Sequence, residues 1–232
     1  MPTILITGAN RGVGLDFARA YAADGWHVIA ANRTPLSDED VATLGRAVEE
    51  IPYDALDDAS AAALAERLQG QPIDVLLCAA QRRGGQQMQP FAAMPAAVTP
   101  ADWWPIMLTN AYAPLRLASL LEPNLRAGTR KVLAALSRHA STLGTEGRSS
   151  DFTYRASQAA LNQLFRTLSV EWRDWGCTAL LLCPDSIEPP RSAMLASPPG
   201  PRAVAGLRAL IAAVSQEQSG QHWTPDGRVL PW

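Results

Sequence analysis

An apolar run, Ile4-Leu5-Ile6, leads directly into Thr7-Gly8-Ala9-Asn10-Arg11-Gly12-Val13-Gly14. The residues after it, Leu15-Asp16-Phe17-Ala18-Arg19-Ala20-Tyr21, read as the start of a helix. A strand, a glycine-rich turn and a helix in that order constrain the fold more than any other part of the chain. Glycines permit the tight turn and a close approach of backbone to ligand, and the helix N-terminus aims unpaired N–H groups at negative charge. That is how a chain builds a pocket for a nucleotide pyrophosphate. The spacing is T-G-x-x-x-G-x-G, which differs from the G-x-G-x-x-G fingerprint.

The rest of the chain repeats the alternation. Strand patterns fall at Thr3–Thr7, His27–Ala31, Glu50–Tyr53, Ile73–Cys78, Lys131–Leu136 and Thr178–Cys183. Helical patterns lie between them at Val13–Asp24, Ala59–Gln69, Asp102–Arg126 and Phe152–Trp175, with Gly25, Gly70, Gly128 and Gly176 as stop signals. Short, continuously apolar strands between amphipathic helices predict a Rossmann-like, doubly wound parallel sheet of about seven strands, with helices on both faces. One α/β domain over residues 1–232 is expected from this length. Ligand belongs at the carboxyl ends of the strands. Two long stretches at that edge, Gln81–Pro100 and Pro184–Arg202, are rich in Pro, Gly or Gln, and loops of that length are usually functional or mobile.

Composition excludes several function classes. Apolar residues at 47% provide for a core, and charged residues at 18% leave a surface that fits an oligomer. A net charge of −2 supplies no basic field for nucleic acid or anionic membrane. No apolar run approaches the ~18 residues of a membrane span and no signal peptide precedes the first strand, so a cytoplasmic protein is expected. Cys78, Cys177 and Cys183 lack metal-ligand spacing, and Cys78 and Cys183 lie in strand patterns as core thiols.

The second strand ends in Ala30-Ala31-Asn32-Arg33-Thr34, without the acidic residue that an NAD site presents to the ribose 2′-hydroxyl. A guanidinium at Arg33 suits a 2′-phosphate, and Arg11 can approach the same group from the glycine turn, so NADP(H) is expected in preference to NAD(H).

The glycine turn, together with Tyr154-Arg155-Ala156-Ser157-Gln158-Ala159-Ala160-Leu161-Asn162 and the closing Asp226-Gly227-Arg228-Val229-Leu230-Pro231-Trp232, resembles the short-chain dehydrogenase/reductase family, and within it the C-factor-like and carbonyl-reductase-like members. The resemblance implies cofactor contacts from Gly8, Asn10, Arg11, Gly12, Val13, Gly14, Arg33, Asp54, Ala79, Gln158 and Pro184. Asp54 would meet the adenine, although an aspartate there can also cap the next helix. The resemblance also implies Tyr154 as the acid–base residue, with Ser137 holding a substrate carbonyl and Asn110 supporting the site. Ser137 precedes Tyr154 by seventeen residues and its rival Ser141 by thirteen. A substrate lid is implied over residues 184–203, where a Pro-rich connector is the alternative. Helices 102–126 and 152–175 would pair subunits into a homo-dimer or homo-tetramer. Trp103, Trp104, Trp172 and Trp175 on them suit either that interface or the core.

Several positions depart from the family pattern. The Tyr-x-x-x-Lys lysine is Gln158, four residues after Tyr154 and on the same helical face. Glutamine can donate to a ribose hydroxyl but carries no charge to favour a phenolate. The fourth-strand Asn-Asn-Ala-Gly is Cys78-Ala79-Ala80-Gln81, the later Pro-Gly is Pro184-Asp185, and a threonine beyond it is Pro189. Of the cations near the site in sequence, Arg138, His139 and Arg155, none is expected to replace the lysine. The function expected is NADP(H)-dependent reduction of a carbonyl substrate, small or medium and apolar, with Tyr154 as proton donor. The alternatives are a catalytically degenerate dinucleotide-binding sensor or partner, and a non-redox lyase or isomerase using Tyr154 and Ser137.

Overall fold

The computed structural model describes residues 1–83, 98–143, 152–184 and 200–232. Strands β1 (Thr3–Thr7), β2 (His27–Asn32), β3 (Val48–Pro52), β4 (Val75–Cys78), β5 (Val132–Leu136), β6 (Thr178–Leu182), β7 (His222–Trp223) and β8 (Val229–Leu230) form one sheet in the order β3-β2-β1-β4-β5-β6-β7-β8. All neighbours are parallel except β7 and β8. The helices are α1 (Gly12–Ala23), α2 (Asp38–Leu44), α3 (Asp58–Arg67), α4 (Pro100–Met107), α5 (Ala113–Leu120), α6 (Glu122–Ala127), α7 (Phe152–Glu171) and α8 (Pro201–Ala213).

Alternate residues of each strand feed two cores. Leu5, Ile29, Leu76, Leu133 and Ala179 pack with Leu64, Leu117 and Phe165 of α3, α5 and α7. Ile4, Ile6, Val28, Leu77 and Leu180 pack on the other face with Phe17, Leu207 and Ile211 of α1 and α8. Burial on both faces explains why these strands are apolar throughout instead of alternating. The chain leaves β1 toward β2 on one side and reaches β4 on the other, so a crevice opens at the carboxyl ends of β1 and β4.

The sheet has eight strands where about seven were expected. The two missing from the sequence reading, β7 and β8, are two residues long each, too short for a period to show. The helix expected over Asp102–Arg126 is broken into α4, a π-helical turn at Leu108–Tyr112, α5 and α6. Pro114 and Pro123 sit in the first turns of α5 and α6, where a missing N–H costs nothing. Helix α2 was not anticipated, although Ser37 caps it by accepting from Asp40 N.

The expected lid falls largely on residues 185–199, outside the described residues, and its final residues, Pro201–Ala203, belong to α8. All three cysteines are buried, and desolvation pushes the Cys78 and Cys177 thiols up to about 12, as befits core residues. Trp172 and Trp175 pack on each other, with ring centroids 5.2 Å apart, against the α7 core, whereas Trp104 on α4 is exposed. No helix among the described residues is long and apolar enough to cross a membrane.

Candidate active site

Thr7, at the end of β1, organises the turn. Its Oγ1 accepts from Ala79 N at 3.1 Å and Ala80 N at 3.2 Å, joining the ends of β1 and β4. Gly8, at φ 69°, lies so close to that turn that a Cβ would come within 2.8 Å of Ala80 Cα. A Cβ on Gly14 would run into the Gly8 carbonyl oxygen, so the first turn of α1 can fold over the loop only with glycine there. Gly12 has φ 54°, and a Cβ there would meet no atom within 4 Å. The start of α1 therefore faces open space, with no side-chain cap from Arg11 and no acidic residue in its first turn. Its N–H groups and dipole stay available to an anion.

A cavity of about 770 Å³ opens over this turn. Gly8, Asn10, Arg11, Gly12, Val13, Gly14, Arg33, Asp54, Ala79 and Pro184 all line it. Every residue expected at the cofactor is thus gathered on one wall system except Gln158. Arg11 and Arg33 share the end that also holds Tyr53 and Asp54, and no carboxylate follows β2. Asp54 Oδ1 accepts from Leu56 N, while the cap of α3 is Asp57, whose side chain accepts from Ala59 N. The capping alternative for Asp54 is therefore replaced by a position on the cavity wall.

The residues expected to carry chemistry lie behind that wall. Tyr154 is 2% exposed and Gln158 fully buried, both in the opening turns of α7. Tyr154 Oη donates to Gln81 Oε1 at 2.9 Å, and Gln81 Nε2 donates to the Leu136 carbonyl at 2.7 Å. Gln81 and Leu136 line the cavity, so the Gln81 amide stands between it and the phenol. The Arg83 guanidinium lies 4.8 Å from the Tyr154 ring centroid, over its face. Neither amide atom of Gln158 has a hydrogen-bond partner among the described residues. Such a donor and acceptor would suit the vicinal hydroxyls of a ribose, which would reach them only with a shift of the wall that now covers Gln158.

Asn110 sits in the π-helical turn, a local widening often found at functional sites. Its Oδ1 accepts from Arg82 N at 2.8 Å, and its Nδ2 donates to Arg82 O and to Ser157 Oγ, each at 2.9 Å. It clamps the segment after β4 to α7. Ser137 meets the same helix two turns beyond Tyr154. It is fully buried, donates to Asn162 Oδ1 at 2.7 Å and lies 3.1 Å from Ser141 Oγ. Asn162 Nδ2 donates to Ser141 Oγ, which donates to Arg138 O. Leu136 and Arg138 line the cavity on either side of Ser137, and neither serine does.

The sequence reading quoted Thr7, Gln81 and Asn162 within motifs without giving them a role, and it passed over Arg82 and Arg83. Its search for a substitute cation stayed with Arg138, His139 and Arg155, near Tyr154 in sequence, while Arg83 arrives from β4, across the sheet. The available signal was position: a basic pair just beyond a central parallel strand belongs at the ligand edge.

A family model for short chain dehydrogenase matches residues 2–198. The C-signal protein of Myxococcus xanthus is 30% identical over 132 residues, covering 57% of this chain and 80% of that protein. A carbonyl reductase from Pseudomonas aeruginosa PAO1, solved in complex with NADP, is 28% identical, with a TM-score of 0.83 and coverage of 100% of both chains. NADPH-bound carbonyl reductase from chicken fatty liver is 25% identical, with a TM-score of 0.82 over 100% of this chain and 99% of that one. With the glycine turn, the sheet order and the Tyr154 helix all in place, the chain belongs to the short-chain dehydrogenase family and is an enzyme of the oxidoreductase class.

Proposed function

We propose that this protein reduces a carbonyl substrate with NADP(H), with Tyr154 as the proton donor. The observation that carries the reading is the cavity itself. A pyrophosphate turn opens into it, and Arg11 and Arg33 stand at one end with no carboxylate after β2. The glycine turn and the start of α1 would hold the pyrophosphate, Arg11 and Arg33 the 2′-phosphate, and Asp54 the adenine. Ala79 and Pro184 would flank the dinucleotide, and Gln158 would take the nicotinamide ribose. The bound nicotinamide supplies the hydride.

The protein's own residues handle the proton. A tyrosine, with an ordinary pKa near ~10, is a phenol at neutral pH and can donate from Oη to a carbonyl oxygen. Alcohol oxidation would need the phenolate, and Gln158 brings no charge to favour it. Arg83 adds a positive charge over the ring, but it is exposed, and solvent screens what its guanidinium could lend a phenolate. Reduction should therefore outrun oxidation. Asn110 and Ser157 hold the helix start and the Arg82 backbone in register. Ser137, Ser141 and Asn162 brace the end of β5 beneath the site. The same reading includes a homo-dimer or homo-tetramer through segments 102–126 and 152–175, supported by Trp104, Leu108 and Tyr112, which stay exposed along α4 and the π turn.

Titration of purified protein with NADPH and NADH, followed by tryptophan-to-nicotinamide energy transfer, tests the cofactor half. NADPH should bind about tenfold or more tightly, and Arg33→Ala should abolish the difference. Equal affinities in the native protein would remove the basis for NADP(H).

A further inference from the structure

Three of the cavity's arginines stand away from the places where a dinucleotide would carry its phosphates. Arg11 and Arg33 meet the 2′-phosphate in the reading above, on which this inference rests, and the α1 N-terminus meets the pyrophosphate. Arg82, Arg83 and Arg138 line the same cavity beyond them, toward Leu136 and Tyr154. The only carboxylate on the described wall is Asp54, at the opposite end beside Tyr53. In a chain of net charge −2 this is a local concentration of one sign. The nicotinamide gives it no use. Its ring is neutral when reduced and cationic when oxidised, so nearby guanidiniums would oppose the oxidised form.

Two of these arginines are also placed. Arg82 is pinned through its backbone to Asn110 on both its N–H and C=O. The strip from β4 is thereby held at the rim, and Arg83 is set over the phenol ring. A carbonyl oxygen receiving the Tyr154 proton would put its neighbouring atoms under that guanidinium. Planar guanidiniums grouped in this way match the oxygens of a carboxylate or phosphate.

We propose that the substrate is an anionic carbonyl compound, with a carboxylate or phosphate within a few bonds of the reducible carbon, recognised by Arg83 with Arg82. This replaces the apolar substrate expected from sequence. In the reaction, hydride from NADPH adds to the carbonyl carbon, the C=O π pair takes the Tyr154 proton, and the products are the hydroxy anion and NADP⁺. Water returns the proton to the tyrosine.

The test uses the full chain saturated with NADPH, which occupies the Arg11–Arg33 end. An aromatic 2-oxo acid, its methyl ester and a phosphorylated hydroxyketone are compared by kcat/KM. The binding of two unreactive anions, oxamate and inorganic phosphate, is measured by calorimetry. The acid or the phosphorylated ketone should exceed the ester by about tenfold or more, and Arg83→Gln should collapse that ratio toward one. Oxamate or phosphate should bind, about tenfold more weakly to Arg83→Gln, and the tighter of the two names the anion. An ester turned over as well as the anions, a ratio indifferent to Arg83, or no binding of either anion would overturn the proposal. Anion binding through Arg83 without turnover of any carbonyl compound would leave the anion site standing and remove the reductase reading instead.

Discussion

Gln81 should restrain the enzyme, and its removal should raise activity. The Tyr154 hydroxyl donates to Gln81 Oε1, the bond that a substrate carbonyl oxygen would take over in the proposed reaction. To yield it, Gln81 must swing out and give up its second bond, from Nε2 to the Leu136 carbonyl. Each such bond is worth about 0.5–1.5 kcal/mol net of solvation, so displacing both costs about 1–3 kcal/mol. At about 1.4 kcal/mol per factor of ten, Gln81→Ala should raise kcat/KM about 5- to 140-fold. Gln81 is half-buried at the cavity wall, so the truncation should leave the fold intact, and the Leu136 carbonyl can turn to water. The assay is the initial rate of NADPH consumption with an aldehyde and with a 2-oxo acid, wild type beside variant. An unchanged rate would mean that the amide moves aside freely. A fall would mean that Gln81 positions the phenol, and the shutter argument would be wrong.

Gln158→Met should leave ligand-free stability unchanged or raise it, since a buried unpartnered amide costs roughly 1–3 kcal/mol, while the stabilisation given by NADPH should shrink. Thermal unfolding with and without NADPH checks this, and a large loss in the ligand-free protein would show that the amide is bonded internally. Gln158→Lys should increase alcohol oxidation more than carbonyl reduction when both are assayed at neutral pH. His222 is fully enclosed, and burial, with the His139 charge adding to it, lowers its pKa from 6.5 to about 4. The unfolded chain then binds the extra proton below pH ~6.5, so stability is intact above that value and falls as pH drops toward ~4, by up to roughly 3 kcal/mol. Denaturant melts across that range should show the slope, and His222→Phe should flatten it; a variant that tracks the wild type would refute the assignment. Gly14→Ala forces a methyl into the Gly8 carbonyl, so it should destabilise the protein by about 1–3 kcal/mol and weaken NADPH binding. Full affinity in that variant would separate the loop geometry from nucleotide binding.

Local grammar explains what was legible in advance. The glycine turn, the apolar strands and the glycine stops each need only a few neighbouring residues, and they specify strand–turn–helix units whose parallel stacking leaves few topologies. Arg33 without a following-strand acid, and Tyr154 one turn from Gln158, were legible for the same reason, because a short segment fixes which side chains share an edge or a face. The strands β7 and β8 escaped notice because two residues carry no period, and their pairing depends on β6 being already in place. The break in the 102–126 helix follows from prolines and from Asn110 bonding Arg82 and Ser157, contacts 28 and 47 residues apart in sequence.

The direction in which Ser137 points, the seat of Gln81 on the Tyr154 hydroxyl and the placing of Arg83 over its ring could come only from the assembled sheet. Each depends on residues from β4, β5 and α7 converging, and that convergence is set by how the two cores close around the sheet. By itself the sequence determined the architecture and the nucleotide turn, since both are built from contiguous residues. The tertiary structure decided which groups meet at the reacting end, because hydrogen bonds and charges act over a few ångströms of space, whatever the separation along the chain.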